Sequence, residues 1–207
     1  KEVSSAEVEK LRATAAHHIL TINADDVWSQ GYTGKNVVVA VLDSGTNYEH
    51  KDIESNVWEG EVDGQLVNGW NFIADNSDIS DDNGHGTHCA GIVCGNGTSG
   101  TSTGVAPDAK LMTVKIVGGA GTGTPADMLS GVQFAVENGA NILSMSLGFK
   151  KTQLSVAQIE AIRSTFDNVL SVDVIVCAAA GNDGNSWGAP KNVDYPAACP
   201  APWSNPD

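Results

Sequence analysis

Val37-Val38-Val39-Ala40-Val41-Leu42-Asp43-Ser44-Gly45 is the stretch whose reading decides the fold. Its first six residues are apolar at odd and even positions alike. A strand with one wet face would alternate, so both faces of this one must be covered, as in a parallel sheet with helices on either side. The run ends abruptly on an acid, a hydroxyl and a glycine. In open parallel sheets, sites form where strands end in this way.

Working outward, similar strand-like runs occupy residues 110–116, 141–146 and 174–180. Helical patterns alternate with them. Residues 84–93 read as a helix entered through Asp82 and Asn83 as cap residues. Residues 125–138 read as a helix opened by Pro125, whose missing N–H costs nothing in a first turn, and ended by Gly139. Residues 154–170 carry apolar Val156, Ile159, Ile162, Phe166 and Val169 at helical spacing. Upstream, residues 5–20 read as one helix with Glu7, Lys10 and Arg12 outward, and residues 23–34 as a helical turn and loop. Residues 47–82 read as a polar surface connection with short strand pieces; 95–104 and 118–123 are glycine-rich loops. Strands alternating with helices predict an α/β fold, a parallel sheet with helices on both faces and right-handed crossovers. Residues 1–19 form an N-terminal extension or helix, and 20–207 one domain.

The formal net charge is −14 over 207 residues, with 11 Lys and Arg against 25 Asp and Glu. That balance argues against nucleic acid, whose phosphates demand clustered cations. The longest apolar runs are strand-sized, so none spans a bilayer. No secretory leader is read at Lys1. Four cysteines in a chain of this length are no disulfide framework. Cys89 and Cys94 point to different faces of their helix. Cys177 reads as a small buried residue, and Cys199, in a Pro-rich loop, as the most reactive thiol.

Candidate chemistry gathers at the strand ends. His85 stands in the first turn of a helix between two glycines, and an imidazole titrates near the pH at which a general base works. Asp43 ends a strand, where a carboxylate is costly unless paired. Holding one imidazole nitrogen of His85 would pair it; capping a turn through Ser44-Gly45 is its bland alternative. Asn182 follows Ala178-Ala179-Ala180-Gly181, and its amide suits a developing oxyanion. A plain Asn-Asp-Gly turn is the alternative there.

Five motifs in order carry a specific resemblance: Val41-Leu42-Asp43-Ser44-Gly45, Gly84-His85-Gly86-Thr87-His88-Cys89-Ala90-Gly91, Gly104-Val105-Ala106-Pro107, Ser144-Met145-Ser146-Leu147-Gly148 and Ala178-Ala179-Ala180-Gly181-Asn182. Over roughly residues 20 to 200 the chain resembles the subtilisin-like serine proteases, with their three-layer fold. The resemblance implies that Asp43 orients His85, that His85 is the general base, and that Asn182 supplies the oxyanion amide. It implies two pocket walls for the substrate residue before the cleaved bond, Ser146-Leu147-Gly148 and Ala178-Ala179-Ala180-Gly181. Gly121-Thr122-Gly123 would pair with the substrate backbone as an added strand. Small walls without an obvious charge lead to an expected broad or apolar preference. The implied partner is a polypeptide substrate, and the implied place is secreted or in the cell envelope.

The pattern departs from the family at the nucleophile. The resembled proteins carry it in a Gly-Thr-Ser motif after the oxyanion Asn, whereas the serines after Asn182 are Ser186 and Ser204. Gly97-Thr98-Ser99 and Gly100-Thr101-Ser102 precede Asn182, and no helical pattern follows them, so neither fits the role. The chain therefore reads as the N-terminal portion of a catalytic domain, incomplete at its C-terminal end, inactive alone, and prone to self-association through exposed core. Two other readings stay open: a non-catalytic half-domain that binds peptide or a complementing chain, and a different hydrolase using Ser99 or Ser102. The chemistry needs no cofactor. Calcium is common in the resembled family, but the 95–104 loop offers Asn96 and hydroxyls and no carboxylate, so no site is assignable. Asp75, Asp78, Asp81 and Asp82 read as a solvated acidic loop. His85, His88 and Cys89 lack the His-Glu-x-x-His pattern of a catalytic zinc helix, so no metal is assigned to them.

Overall fold

The computed structural model describes residues 3–183 and 193–199. Five parallel strands form the central sheet: β1 (Val38–Asp43), β4 (Gly69–Asn71), β5 (Lys110–Lys115), β6 (Ile142–Met145) and β7 (Ile175–Ala178). Their order across the sheet is β4-β5-β1-β6-β7. β2 (Gly60–Val62) and β3 (Gln65–Val67) pair antiparallel as a separate hairpin. The α/β parallel sheet expected from the sequence is the fold of the chain.

The two-residue period of β1 builds the layers. Ala40 and Leu42 bury with Met112, Val114, Leu143 and Met145 against α5 (Pro125–Glu137) and α6 (Val156–Ser171). Val39 and Val41 bury with Leu111, Ala90 and Cys94 against α4 (His85–Cys94). Helices thus cover both faces, which is why the β1 run is apolar throughout. Capping boxes fix the starts of α5 and α6: Thr124 with Asp127, and Ser155 with Gln158.

The N-terminal segment departs from the single helix expected over residues 5–20. It forms α1 (Ser5–Thr14) and α2 (His17–Thr21), separated at Ala15, which is extended and bridges in parallel to Thr103. Thr103 N–H donates to Thr14 O, and Ala16 N–H donates to Ser102 Oγ. These tertiary bonds outweigh alanine's helix preference. With α3 (Ala24–Ser29), the segment buries Val8, Ile19, Ala24 and Trp28 in a cluster of its own. Trp28 Nε1–H donates to Val105 O, tying that cluster to the body.

The segment 47–82 is less superficial than its composition suggests. Ile53, Val67 and Ile79 are buried, and β4 joins the main sheet beside β5. Cys177, expected to be buried, is exposed. Val174, just before β7, and Val176 on it face the α5–α6 core, but α4 packs over β1 and β5, so the opposite face of β7 stays uncovered among the described residues. Cys199, expected to be the reactive thiol, packs partly buried against the main core, and burial pushes its thiol up from the ordinary range.

Candidate active site

The alternation that buries Val39 and Val41 beneath α4 carries the next odd residue, Asp43, to the same face at the rim. His85 opens α4 there. His85 Nδ1 lies 2.8 Å from Asp43 Oδ1 and 2.9 Å from Oδ2. An ionised carboxylate only accepts, so Nδ1 carries the proton and Nε2 is left as the basic nitrogen. The Asp43 side chain is 4% exposed and that of His85 51%. A buried acid holding the inner edge of an open imidazole is the arrangement a general base requires.

The close approach rests on Gly86. A Cβ at that position would lie 2.2 Å from Gly45 O and 3.2 Å from the Asp43 Cβ. Any side chain would push the first turn of α4 away from the loop that follows Asp43.

The helix start is organised chiefly by Asp81; of the two cap residues expected from the sequence, Asn83 Oδ1 accepts from His85 N–H at 3.3 Å, whereas Asp82 turns elsewhere. Asp81 Oδ1 accepts from Ser44 Oγ at 2.8 Å, Asn83 N at 3.0 Å and Gly84 N at 2.8 Å. Its Oδ2 accepts from Thr87 N at 2.9 Å and Thr87 Oγ1 at 2.5 Å. Ser44 Oγ in turn accepts from Gly86 N at 2.9 Å. Burial raises the Asp81 carboxyl, but the bonds from Thr87, Gly84 and Asn83 outweigh it and leave the group at about 2. Asp82 instead meets Lys115. That lysine is 4% exposed, and its Nζ donates to Ser44 O, Ser80 O and Asp82 Oδ1. Lys115 is paired in register with Asp43 on the neighbouring strand, so it anchors both loops from beneath. The four aspartates of this region are therefore individually engaged: Asp75 accepts from Trp70 Nε1–H, and Asp78 from Ser80 N–H and Oγ–H.

Cys89 follows one helical turn after His85, half-buried, with Sγ 3.9 Å from His85 Nδ1. Burial pushes its thiol up, partly offset by a contact with the Ser146 side chain. Asp43, His85 and Cys89 present ligand atoms within 4.8 Å of one another. Both Asp43 oxygens already receive His85 Nδ1–H, so an ion there would have to displace that bond. His88, grouped with them in the sequence, points elsewhere: it lines a cavity of about 450 Å³ with His18 and His50.

The remaining predicted residues meet the same rim from the other strands. Ser146 follows β6, and its contact with Cys89 joins this strand end to α4. Ala178 ends β7; Ala179 N–H donates to Met145 O, holding the 178–181 and 146–148 segments side by side. Asn182 follows, exposed, and Lys150 Nζ meets Asp183 Oδ2 at 2.5 Å across the two segments. Gly121, Thr122 and Gly123 lie in a turn closed by Gly118 N–H to Thr122 O and Gly121 N–H to Gly118 O. Asn83 Nδ2–H donates to Gly119 O, linking that turn to the start of α4. Ser186 and Ser204 lie outside the described residues. Ser102 Oγ donates to Thr103 O and accepts from Ala16 N–H, and it lines the cavity that Gly84, Thr87 and His88 also line.

Two residues escaped the sequence reading because their neighbours are close only in space. Asp52, buried, accepts from Gly97 N and Thr98 N and so braces the 95–104 loop, which seemed to lack any carboxylate. Asp194 N–H donates to Ala180 O, which brings its side chain between Gly148 and Gly181.

Known proteins bear on this arrangement. A model of the subtilase family matches residues 34–204. The Major intracellular serine protease of Bacillus subtilis (strain 168) is 37% identical over 185 residues, covering 87% of this chain and 53% of that protein. Subtilisin DY of Bacillus licheniformis is 34% identical over 184 residues, 89% of this chain and 61% of its own length. The Minor extracellular protease Vpr of Bacillus subtilis (strain 168) is 36% identical over 176 residues, 80% of this chain and 20% of its own length. The chain thus spans about half the length of the first two.

Proposed function

The chain belongs to the subtilase family, and we propose that the protein it is part of is a serine endopeptidase. The observation that carries this reading is the Asp43–His85 pair: a buried carboxylate within 2.8 Å of Nδ1, with the other imidazole nitrogen directed to an open rim. In this reading Asp43 fixes the tautomer and orientation of His85. His85 Nε2 takes the proton of a serine hydroxyl as it attacks the peptide carbonyl, and later delivers it to the departing amine. The Asn182 amide donates to the oxygen that becomes negative in the tetrahedral intermediate. Residues 146–148 and 178–181 flank the side chain before the cleaved bond, and Gly121-Thr122-Gly123 aligns the substrate backbone.

The serine itself is assigned to a part of the protein beyond these 207 residues, since no Gly-Thr-Ser follows Asn182 here. Subtilase relatives are named for both an intracellular and an extracellular enzyme. Export of the parent protein is our reading. No helix among the described residues is long and apolar enough to cross a membrane.

The test compares the 207-residue chain with its full-length parent, using a fluorophosphonate serine probe and a mixed peptide library. Labelling and cleavage by the parent, with neither by the 207 residues alone, is the expected result. Stoichiometric labelling of the short chain at Ser99 or Ser102 would overturn the assignment of the nucleophile. A parent that cleaves no peptide would overturn the endopeptidase reading.

A further inference from the structure

The two wall segments enclose a charged group. Phe149 and Tyr195 exchange a reciprocal pair of backbone hydrogen bonds, each 2.9 Å, which docks the 193–199 segment against the loop after β6. Asp194 N–H donates to Ala180 O at 3.0 Å, which docks the same segment against the loop after β7. The Asp194 side chain is thereby held between the walls. A Cβ at Gly148 would lie 2.6 Å from the Asp194 Cβ, and one at Gly181 would overlap its Oδ2. Glycine at both wall positions leaves the space that this carboxylate occupies. Lys150 is bonded to Asp183 and interacts with Asp194 by attraction through space.

We propose that Asp194 sets the substrate class of this pocket: it selects a cationic side chain, Arg or Lys, before the cleaved bond. The proposal rests on the endopeptidase reading and on the two wall segments assigned with it. A half-buried carboxylate between apolar walls is stabilised by an incoming opposite charge and resists a like one. A guanidinium can meet it with two parallel N–H donors. The methylene stem of either side chain would lie along Leu147 and the alanines of residues 178–180 while its charged end reaches the floor. An acidic side chain would bring two carboxylates together. This departs from the broad or apolar preference expected from wall composition alone, because the charge comes from a segment some thirteen residues past the second wall.

The experiment uses the full-length parent with a set of peptides differing only at the residue before the cleaved bond. The expected kcat/KM for Arg or Lys exceeds that for Glu by roughly 100-fold or more, and Asp194→Asn lowers the Arg value by about the same factor while sparing Phe. Benzamidine, a small amidinium, supplies a readout free of turnover: calorimetry should show binding to the parent and its loss in Asp194→Asn. Equal rates for Arg, Phe and Glu would overturn the proposal. So would a loss of thermal stability in Asp194→Asn with the Arg-to-Phe ranking unchanged, since the side chain would then only brace the two loops. If Asp194→Asn does not fold, Asp194→Ser takes its place and is read in the same way. If the parent cleaves no peptide, the endopeptidase reading falls; benzamidine binding that depends on Asp194 would still uphold the cationic pocket, and its absence would sink that too.

Discussion

The rim of the sheet has two unlike halves. Around β1 and β5, the polar groups are tied to one another: Asp43 holds His85, Ser44 bridges Asp81 to Gly86, and Lys115 collects three oxygens from two loops. Beneath them the strands are sealed, with Val41 at 1% exposure. Around β6 and β7, Ser146, Asn182 and residues 178–181 stand at an open edge, and Ile175 is 58% exposed. The first half is pre-organised in this chain and needs nothing added. The second receives the substrate in the reading proposed above. A general base works by fixed geometry, so its supports must not move; a pocket must stay open until it is filled.

The largest contrast comes from substituting, in each half, one group assigned a catalytic role in the proposal above. In the full-length parent, Asp43→Asn should lower kcat on the order of 10⁴-fold with little change in KM, because an amide can favour the wrong imidazole tautomer. Asn182→Ala should lower it by roughly 10²- to 10³-fold, since one oxyanion donor is lost and others remain. Steady-state kinetics on one peptide decides between them. If Asn182→Ala proved the more damaging, the pre-organised half would not be the dominant one.

A middle-sized effect tests how rigidly the first half is held. Asp81 touches no reacting group, yet it ties the loop leaving Asp43 to the turn carrying His85. Asp81→Asn keeps the shape but turns an N–H₂ toward donors, so kcat should fall roughly tenfold through a small displacement of His85. Folding lowers the Asp81 carboxyl from 3.8 to about 2, so the stability it lends is complete above about pH 4 and is lost as pH falls through about 2. Thermal unfolding of parent and variant should therefore differ most near neutrality and converge between pH 4 and pH 2. A constant difference across that range would mean that the carboxylate's charge is not what holds the loops.

These supports explain what the sequence could and could not disclose. β1 was legible because burial on both faces writes itself into six consecutive apolar residues. The Asp43–His85 pairing was legible because each residue sits close to glycine, at a strand end or a helix start. Asp81 was misread as solvated, since three neighbouring aspartates look alike until Ser44 and Thr87 are brought to one of them. Residues 5–20 were misread as one helix because Ser102 and Thr103, nearly ninety residues away, supply the bonds that open it at Ala15. Cys177 was misread as buried because strand composition reports an apolar run and not which helices lie over each face. In each case the missing quantity was a contact between segments distant in sequence.

The smallest expected effect lies on that uncovered face. Val41 and Ile175 are both apolar residues of parallel strands, on the face that α4 covers only in part. Val41→Ala in the 207-residue chain should cost about 1–3 kcal/mol, because its methyl groups leave a void beneath α4 that cannot collapse fully. Ile175→Ser in the same chain should change stability by no more than about 0.5 kcal/mol, since its side chain already meets water. Urea unfolding of both variants measures the contrast. Repeating Ile175→Ser in the full-length parent sharpens it: a cost rising toward that of Val41→Ala would show that additional chain covers β7. An unchanged cost would show that the second half of the rim remains open in the whole protein, and that the asymmetry belongs to the fold itself.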